Sequence, residues 1–572
     1  MAEHIGAEAF IEVLNANGVE NIFFNPGGEQ AAVLATVAKY RTSGKKCPRL
    51  VLCLDEAVAM TAAYGHYLAS GQPQAVMVHA ELGTLQIGGA WHNAQWGRIP
   101  VVVLAGNWGS PQRTTWQGEP YDQGGIVRNN VRWDHDITGE EDLYEALGEA
   151  FRKAYSEPRG PVYLTYAGSA MAKPIEKRAV TPTAIDALPA APPVDATTLA
   201  EVARTLIAAK NPLIVVGYTG RHPETIPMLV ELAETLGAPV LTSQVWMNFP
   251  TTHPLCAGIE QILGSRKPNT PLPEADTLLV IDYDIAYAVA AGLPGKEATI
   301  IHFDVDPLTQ GKPLWGRGAD RFIKADSRQA IPALTEVIRS LLTQEQRAAF
   351  AQRAESLGNK HAREREGWRS AAVREKDTFP ISSDWLSRCI ADLIDEDTIV
   401  VNHNISMSAS PLEQIDITKP RHLLGCAAGS IQWAPGAALG AKIARPENTV
   451  VSLMTDGGFV WGSPVATLWT AKAYRAPFLS VIFNNEAYGY MRNLVHRTSG
   501  VETFTDDMAF EAGVDIKAPP DFAGVAESCG AYGKKVERPE DIRPALAEAL
   551  QQVKNGRAAV VDVAMDKEHD WL

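Results

Sequence analysis

The stretch that decides the fold lies in the last third of the chain and reads VVSLMTDGG at residues 450–458. A short apolar run leads there directly into an acid and two glycines. A second apolar run, over residues 478–483, ends in Asn484 and Asn485. Such runs are typical of strands in a parallel sheet that is covered on both faces. Ligands of these sheets bind beyond the carboxyl ends of the strands, where Asp456 and Asn485 stand.

The side chains at these two strand ends suit a hard cation. Carboxyl ends of adjacent parallel strands lie side by side, so Asp456 and Asn485 are predicted to converge. One carboxylate, one amide oxygen and a backbone carbonyl form the incomplete oxygen set that Mg²⁺ accepts when a diphosphate fills the remaining positions. Gly457 and Gly458 allow the backbone to approach a phosphate closely, and the following helix offers its N-terminus.

Short apolar runs alternate with Ala-rich helical stretches throughout three blocks, 1–180, 195–343 and 377–572. The proline-rich segment 173–198 predicts an extended linker between the first two blocks. The charged, helix-favouring segment 344–376 predicts a surface connection between the last two. The predicted fold class is therefore α/β, with three doubly wound open-sheet domains.

Composition excludes several classes of protein. The 572 residues carry a formal charge of −15, from 52 Lys+Arg against 67 Asp+Glu, so no basic surface for nucleic acid is expected. No apolar run approaches the ~18 residues of a membrane span. The six cysteines show no CxxC spacing, and acids precede the first apolar run, so we expect a cytoplasmic protein with reduced thiols.

Asp456-Gly457 and the later Asn484-Asn485 resemble the signature of thiamine diphosphate enzymes of the pyruvate decarboxylase, benzoylformate decarboxylase and acetolactate synthase type. Asp456 and Asn485 are 29 residues apart, slightly more than in that family, and the extra residues fall within 459–464. The resemblance implies Mg²⁺ ligation by Asp456, Asn485 and the carbonyl of Ala487. It covers nearly the whole chain, as pyrimidine-binding, middle and diphosphate-binding domains.

The family keeps a glutamate at the end of an N-terminal strand, and Glu56 stands at that place in LCLDEA. The family usually has His before this glutamate, whereas this chain has Asp55. The resemblance implies that Glu56 exchanges a proton with the aminopyrimidine ring of the cofactor. The alternative is that Asp55 and Glu56 only cap a helix. The apolar wedge that bends the cofactor would be Ile431, 25 residues before Asp456.

Weaker matches add four residues to the predicted site. His79 follows an apolar run in VHAELGT and resembles a benzoylformate-decarboxylase-like histidine that moves substrate protons. A structural role for His79 is equally open. Gln86 aligns with a residue near the cofactor ring, while Asn404 and Ser406 align with diphosphate contacts.

Three further residues are candidates for contacts with the substrate. Asn25-Pro26-Gly27-Gly28 resembles a loop that carries Ser in benzoylformate decarboxylase, but Gly28 has no side chain to hold a carboxylate. Trp433 stands near a predicted strand end and could line a pocket for an aromatic substrate, or could equally be core. Glu486 is a further candidate for moving substrate protons.

The resemblance implies an acetolactate-synthase-like carboligase or lyase that acts on 2-oxo acids or 2-hydroxy ketones. It also implies a homodimer or homotetramer, because the family places the glutamate and the diphosphate site on different subunits. Four alternatives stay open: a 2-hydroxyacyl-CoA lyase, although few residues follow the last strand to cover CoA; a 2-oxo acid decarboxylase; a flavin-containing enzyme; and a non-catalytic scaffold.

Overall fold

The computed structural model describes residues 4–108, 122–137, 139, 143–260, 271–283, 294–308, 318–405 and 407–567. These residues form three six-stranded sheets in which the paired strands are parallel. None of the helices in these ranges is long and apolar enough to cross a membrane.

The strands of the first sheet are β1 Asn21–Phe24, β2 Arg49–Leu52, β3 Gln74–Val78, β4 Val101–Asn107, β5 Trp133–Ile137 and β6 Val162–Ala167. Those of the middle sheet are β7 Pro212–Val216, β8 Val240–Ser243, β9 Cys256–Glu260, β10 Thr277–Ile281, β11 Thr299–Asp304 and β12 Arg321–Lys324. Those of the third are β13 Ile399–His403, β14 Leu423–Gly425, β15 Val450–Thr455, β16 Leu479–Asn484, β17 Tyr532–Val536 and β18 Ala559–Ala564.

Helices cover the faces of these sheets. The N-terminal ones are α1 Gly6–Ala16, α2 Ala31–Thr42, α3 Glu56–Ser70, α4 Ala80–Gln86, α5 Ala90–Trp96, α6 Leu143–Tyr155 and α7 Gly168–Ala172. They are followed by α8 Ala196–Ala208, α9 Thr225–Leu236, α10 Ser327–Leu341 and α11 Gln344–Arg374. The C-terminal ones are α12 Ser383–Ala391, α13 Ala409–Gln414, α14 Trp433–Ala444, α15 Asp456–Trp461, α16 Pro464–Ala473, α17 Gly489–Ser499, α18 Asp506–Glu511, α19 Phe522–Ser528 and α20 Ile542–Lys554.

The first and third sheets share one strand order, β2-β1-β3-β4-β6-β5 and β14-β13-β15-β16-β18-β17. The middle sheet has the order β12-β11-β10-β7-β8-β9, which is the order of a dinucleotide-binding fold. The predicted fold class, three doubly wound open sheets, is confirmed. Each sheet lies inside one predicted block, and the block boundaries at 180, 195, 343 and 377 stay predictions.

Two helices hold the first and third sheets together at backbone contact. A Cβ at Gly436 would overlap the Thr61 side chain, and one at Gly440 would overlap the carbonyl of Ala62. Gly65 of α3 meets the Ala437 backbone of α14 in the same way. Since α3 begins at Glu56 and α14 follows Ile431, this contact fixes two predicted site residues relative to each other.

We predict that Gly440→Ala lowers the stability of the fold by about 1–3 kcal/mol, because the added methyl must push α14 away from α3. The matched control is Gly367→Ala on α11, where an added Cβ meets nothing within 4 Å. Removing a helical glycine there should be neutral or stabilising by up to about 1 kcal/mol. Equal melting temperatures for the two variants would contradict the packing described.

Candidate functional site

The predicted residues of the third block meet at one edge of its sheet. β13 pairs with β15, and β15 pairs with β16. Asn404, Asp456 and Asn485 directly follow these three strands. The strand order reverses between β13 and β15, and such a switch point is where doubly wound sheets bind ligands.

Buried polar atoms without partners collect at this edge. Asp456 Oδ1 accepts the Gly457 N–H at 2.8 Å, whereas Oδ2 has no hydrogen-bond partner among the described residues. Neither side-chain amide atom of Asn404 or Asn485 has one either, and both residues are fully buried. An unsatisfied buried polar group costs about 1–3 kcal/mol, so native structures contain few of them. A carboxylate and amides in this state fit a cation bound together with an anionic group.

The electrostatics of this edge also favour a cation. Burial raises the pKa of Asp456 to about 7, and nearby Asp562 contributes to the rise. Burial likewise raises the pKa of Asp562 to about 6, although Asp562 Oδ1 accepts a hydrogen bond of 2.9 Å from Asn484 Nδ2. Two carboxyl groups that resist ionisation mark a place where a positive charge would be stabilised.

The turn after β16 is held in an uncommon backbone conformation. Glu486 has a φ of +52°, and its N–H donates to Asn484 Oδ1 at 3.1 Å. The Ile516 N–H donates to the Glu486 carbonyl at 2.7 Å, which ties the turn to a second segment. The backbone N–H of Ala487 lies close enough to the Asp456 carboxyl to oppose the rise of its pKa. The three residues predicted to ligate Mg²⁺ are thus neighbours.

The Glu486 side chain is partly exposed and lies 3.7 Å from Lys567.

Ile431 lies beside the two glycines that follow β15. Its Cδ1 is 3.6 Å from the place where a Cβ of Gly457 would stand, and its carbonyl is equally close to that place at Gly458. The Thr455 hydroxyl accepts the Gly458 N–H at 3.2 Å, so both glycines stand in the capped first turn of α15. Ile431 thus lies beside the predicted diphosphate site, and its role as the wedge stays a prediction.

Glu56 is the first residue of α3, but it does not cap that helix. The Asp55 side chain accepts the N–H groups of Ala57 and Val58, so Asp55 alone is the cap. Glu56 is 7% exposed, and its Oε1 lies 2.9 Å from the place of a Cβ at Gly83. The capping alternative therefore explains Asp55 and leaves the Glu56 carboxylate for another role.

His79 directly follows β3 and pairs with Glu29, which was not predicted from the sequence. His79 Nδ1 is 2.9 Å from Oε2 of Glu29. Glu29 directly follows the loop 25–28, which was compared above with a substrate-binding loop. The place of that loop at the end of a strand could have pointed to Glu29 as a site residue. Gly28 lies under Trp108, whose ring is 3.1 Å from the place of a Cβ.

Three further predicted residues have different outcomes. Trp433 is fully buried, with its ring 5.3 Å from that of Tyr64 and 5.6 Å from that of His403. Helix packing occupies this side chain, which favours the core alternative for Trp433 over the substrate contact. Gln86 is exposed at the end of α4. Ser406 lies outside the described residues.

A cleft lies beside Asn404 at this edge, and one of its lining residues comes from the middle domain. His403 Nδ1 has no partner among the described residues, and burial lowers the pKa of His403 to about 4, so the ring is neutral. The middle-domain residue Gln244 was not predicted from the sequence. The cleft is lined by Gln244, His403, Asn404, Ile405, Ser408, Cys426, Ala428 and Gly429.

Comparison with known proteins identifies the family. Residues 5–126 match the N-terminal thiamine pyrophosphate binding domain of thiamine pyrophosphate enzymes, 199–334 match the central domain, and 404–563 match the C-terminal thiamine pyrophosphate binding domain. The chain belongs to the thiamine pyrophosphate (thiamine diphosphate) enzyme family. It is a lyase or carboligase that depends on this cofactor.

Several relatives resemble the chain over nearly its whole length. Benzoylformate decarboxylase of Pseudomonas aeruginosa is 27% identical over 95% of this chain and 96% of the relative. Acetolactate synthase isozyme 3 large subunit of Escherichia coli is also 27% identical, over 98% and 95%. The solved structure of 4-hydroxybenzoylformate decarboxylase from Rhodococcus jostii shares the fold, with a TM-score of 0.78 at 23% identity over 98% of this chain and 99% of that one.

Proposed function

We propose that this enzyme binds thiamine diphosphate with Mg²⁺ at the edge formed by β13, β15 and β16. It would make or break a carbon–carbon bond beside a carbonyl in 2-oxo acids or 2-hydroxy ketones. The observation that carries the proposal is the group of buried polar atoms on Asn404, Asp456 and Asn485 that have no hydrogen-bond partner among the residues the structure describes. The diphosphate and its cation supply the partners that these atoms lack.

The roles of individual residues follow from their positions. Asp456, Asn485 and the Ala487 carbonyl would hold Mg²⁺, while the Asn404 amide and the first turn of α15 would hold the diphosphate. The Asn404 neighbour Ser406 is kept as a candidate from the sequence alone. When bound, the cofactor supplies an electron sink for the carbon next to the carbonyl. Glu56 would hold or release the proton at its pyrimidine ring.

Aromatic side chains favour a bulky substrate. Trp108 is 40% exposed. Its ring lies against Gly28, on the side where a serine at this position would carry its side chain. Trp461 is also exposed, and its indole N–H lies 3.4 Å from the Tyr488 hydroxyl. We therefore give aromatic 2-oxo acids priority in a substrate panel. The same preference keeps 2-oxo acid decarboxylation as the second candidate reaction, in line with the name of the Pseudomonas relative.

The flavin alternative finds no support in the described part of the middle sheet. Asn248 Oδ1 accepts the Gly220 N–H at 2.8 Å, so an amide of the Gly217–Gly220 loop already has a partner. Arg221 and Asp282 form an ion pair of 2.7 Å at the end of β10. The chain's own side chains thus occupy the switch point where a dinucleotide would bind.

Exposed apolar side chains support self-association. On α15 and α16, Trp461 is 56% and Val465 59% exposed, and on α4 Leu82 is 62% exposed. Apolar groups clustered beside a site are typical of a covered subunit interface. We infer at least a homodimer in which Glu56 of one subunit faces the diphosphate site of the other.

In sedimentation velocity we expect a dimer or larger assembly, which Val465→Asp shifts towards monomer because it buries a charge in the contact. Phe379→Asp is the matched control, since Phe379 is 73% exposed at the distant junction after α11. A monomeric wild-type protein in the presence of thiamine diphosphate and Mg²⁺ would rule out the shared site.

Titration calorimetry with thiamine diphosphate tests the cofactor site. We expect binding in the presence of Mg²⁺ and its loss with a chelator. Asp456→Asn should weaken binding by about 10- to 100-fold, because contacts to charged groups contribute about 1.5–3 kcal/mol. Asp507→Asn, in the exposed first turn of α18, should change nothing. Wild-type protein that binds equally well with a chelator would overturn the metal assignment.

A further inference from the structure

The first sheet has its own switch point, between β1 and β3. The loop after β1 carries Glu29, and His79 directly follows β3. Glu29 Oε2 is 2.9 Å from His79 Nδ1, and Glu29 Oε1 accepts the Ala80 N–H at 3.2 Å. A carboxylate therefore bridges a ring nitrogen and a backbone amide at the place where this sheet would receive a ligand.

The surrounding backbone leaves room for this carboxylate and for little else. The Glu29 side chain is fully buried. A Cβ at Gly27 would lie 2.5 Å from Glu29 Oε2, one at Gly106 would overlap Glu29 Cγ, and one at Gly168 would lie 2.8 Å from Glu29 Cα. Three glycines from three separate segments thus enclose one buried acid. Burying a carboxylate is costly unless hydrogen-bond donors compensate it.

The backbone beside His79 is strained. Ala80 has a φ of +37°, which is uncommon for a residue with a side chain and costs of order 1–3 kcal/mol. The hydrogen bond from the Ala80 N–H to Glu29 stabilises this conformation. Glu29 therefore fixes both the ring of His79 and the backbone that carries it, while the His79 side chain stays 31% exposed.

We propose that Glu29 is a positioning residue that sets the tautomer of His79. An ionised carboxylate only accepts hydrogen bonds, so the facing Nδ1 carries the hydrogen. The lone pair of the neutral ring is then on Nε2. The proposal rests on the proposed function, because it assigns proton transfer to and from a bound substrate to His79 Nε2. Nε2 takes a proton from a substrate hydroxyl, the imidazolium keeps its Nδ1–H on Glu29, and the reverse step returns the proton.

Glu29→Gln is the informative variant because it keeps the shape of the side chain. Its oxygen stays on the Ala80 N–H, so its NH₂ group faces Nδ1 and donates. That reversal moves the ring hydrogen to Nε2 and removes the base. A carboxylate replaced by an amide at such a histidine gives the wrong tautomer, and lost proton transfer slows turnover by about 10²–10⁴-fold.

Nitrogen NMR of protein labelled with ¹⁵N-histidine, loaded with thiamine diphosphate and Mg²⁺ at pH 8, tests the proposal directly. The His79 signal is assigned from its loss in His79→Asn. We expect a protonated Nδ1 and an unprotonated Nε2 in the wild type, and the reverse in Glu29→Gln. With the best substrate of the panel, kcat should fall by about 10²-fold or more with little change in KM.

Glu81→Gln is the control for loss of charge, because Glu81 stands in the first turn of α4 and makes no hydrogen bond to His79 within the described ranges. A wild-type ring with its hydrogen on Nε2 overturns the proposal, even if Glu29→Gln fails to fold. So does a Glu29→Gln ring that keeps its hydrogen on Nδ1. Calorimetric binding of thiamine diphosphate to both proteins separates these outcomes from failure of the proposed function.

Discussion

The backbone contact between α3 and α14 is the constraint on which the site depends. Gly65, Gly436 and Gly440 let the two helices touch without intervening side chains, so α3 of the first domain packs directly on α14 of the third. Glu56 begins one of these helices, and Ile431 immediately precedes the other. In the proposed dimer, Glu56 and the diphosphate site of one subunit would serve two different cofactors, and this contact would fix the distance between those two half-sites. Arg421 strengthens the junction, because it donates to the Leu68 carbonyl at the end of α3 at 2.9 Å.

The three sheets share one general fold, but different kinds of side chain stand at their switch points. The third sheet leaves Asp456 Oδ2 and the Asn485 amide buried and without hydrogen-bond partners in the part of the chain that the structure describes, which suits a charged ligand. The first sheet places a buried carboxylate against His79, which suits proton transfer. The middle sheet fills the same place with the ion pair of Arg221 and Asp282. Arg221 also contacts Glu157 of the first domain and Arg421 of the third. The fold itself therefore does not determine chemistry; the residues that follow each strand do.

Hydropathy predicted the three sheets because their central strands are buried on both faces. It did not reveal β5, β9, β12, β14 and β17, which lie at sheet edges; most residues of β5, β12 and β17 are partly or fully exposed. It also missed β1, which is buried but only four residues long. The convergence of Asp456 and Asn485 was predictable from their places at strand ends, because the ends of adjacent strands in a parallel sheet lie side by side. Glu29 was missed, and Trp433 could not be assigned to a pocket or to the core, for a common reason. Whether a side chain faces a cleft or a neighbouring helix depends on how elements far apart in the sequence pack.

The central claim is that Glu56 activates a cofactor anchored by Asp456 and Asn485. The most direct test is the rate at which the C2 hydrogen of bound thiamine diphosphate exchanges with deuterium, measured after a rapid quench. Glu56→Gln should retain the cofactor and slow exchange by about 10²-fold or more, whereas Asp55→Asn, which preserves the helix cap, should exchange at the wild-type rate. Equal exchange in wild type and Glu56→Gln, with the cofactor bound in both, would contradict the account.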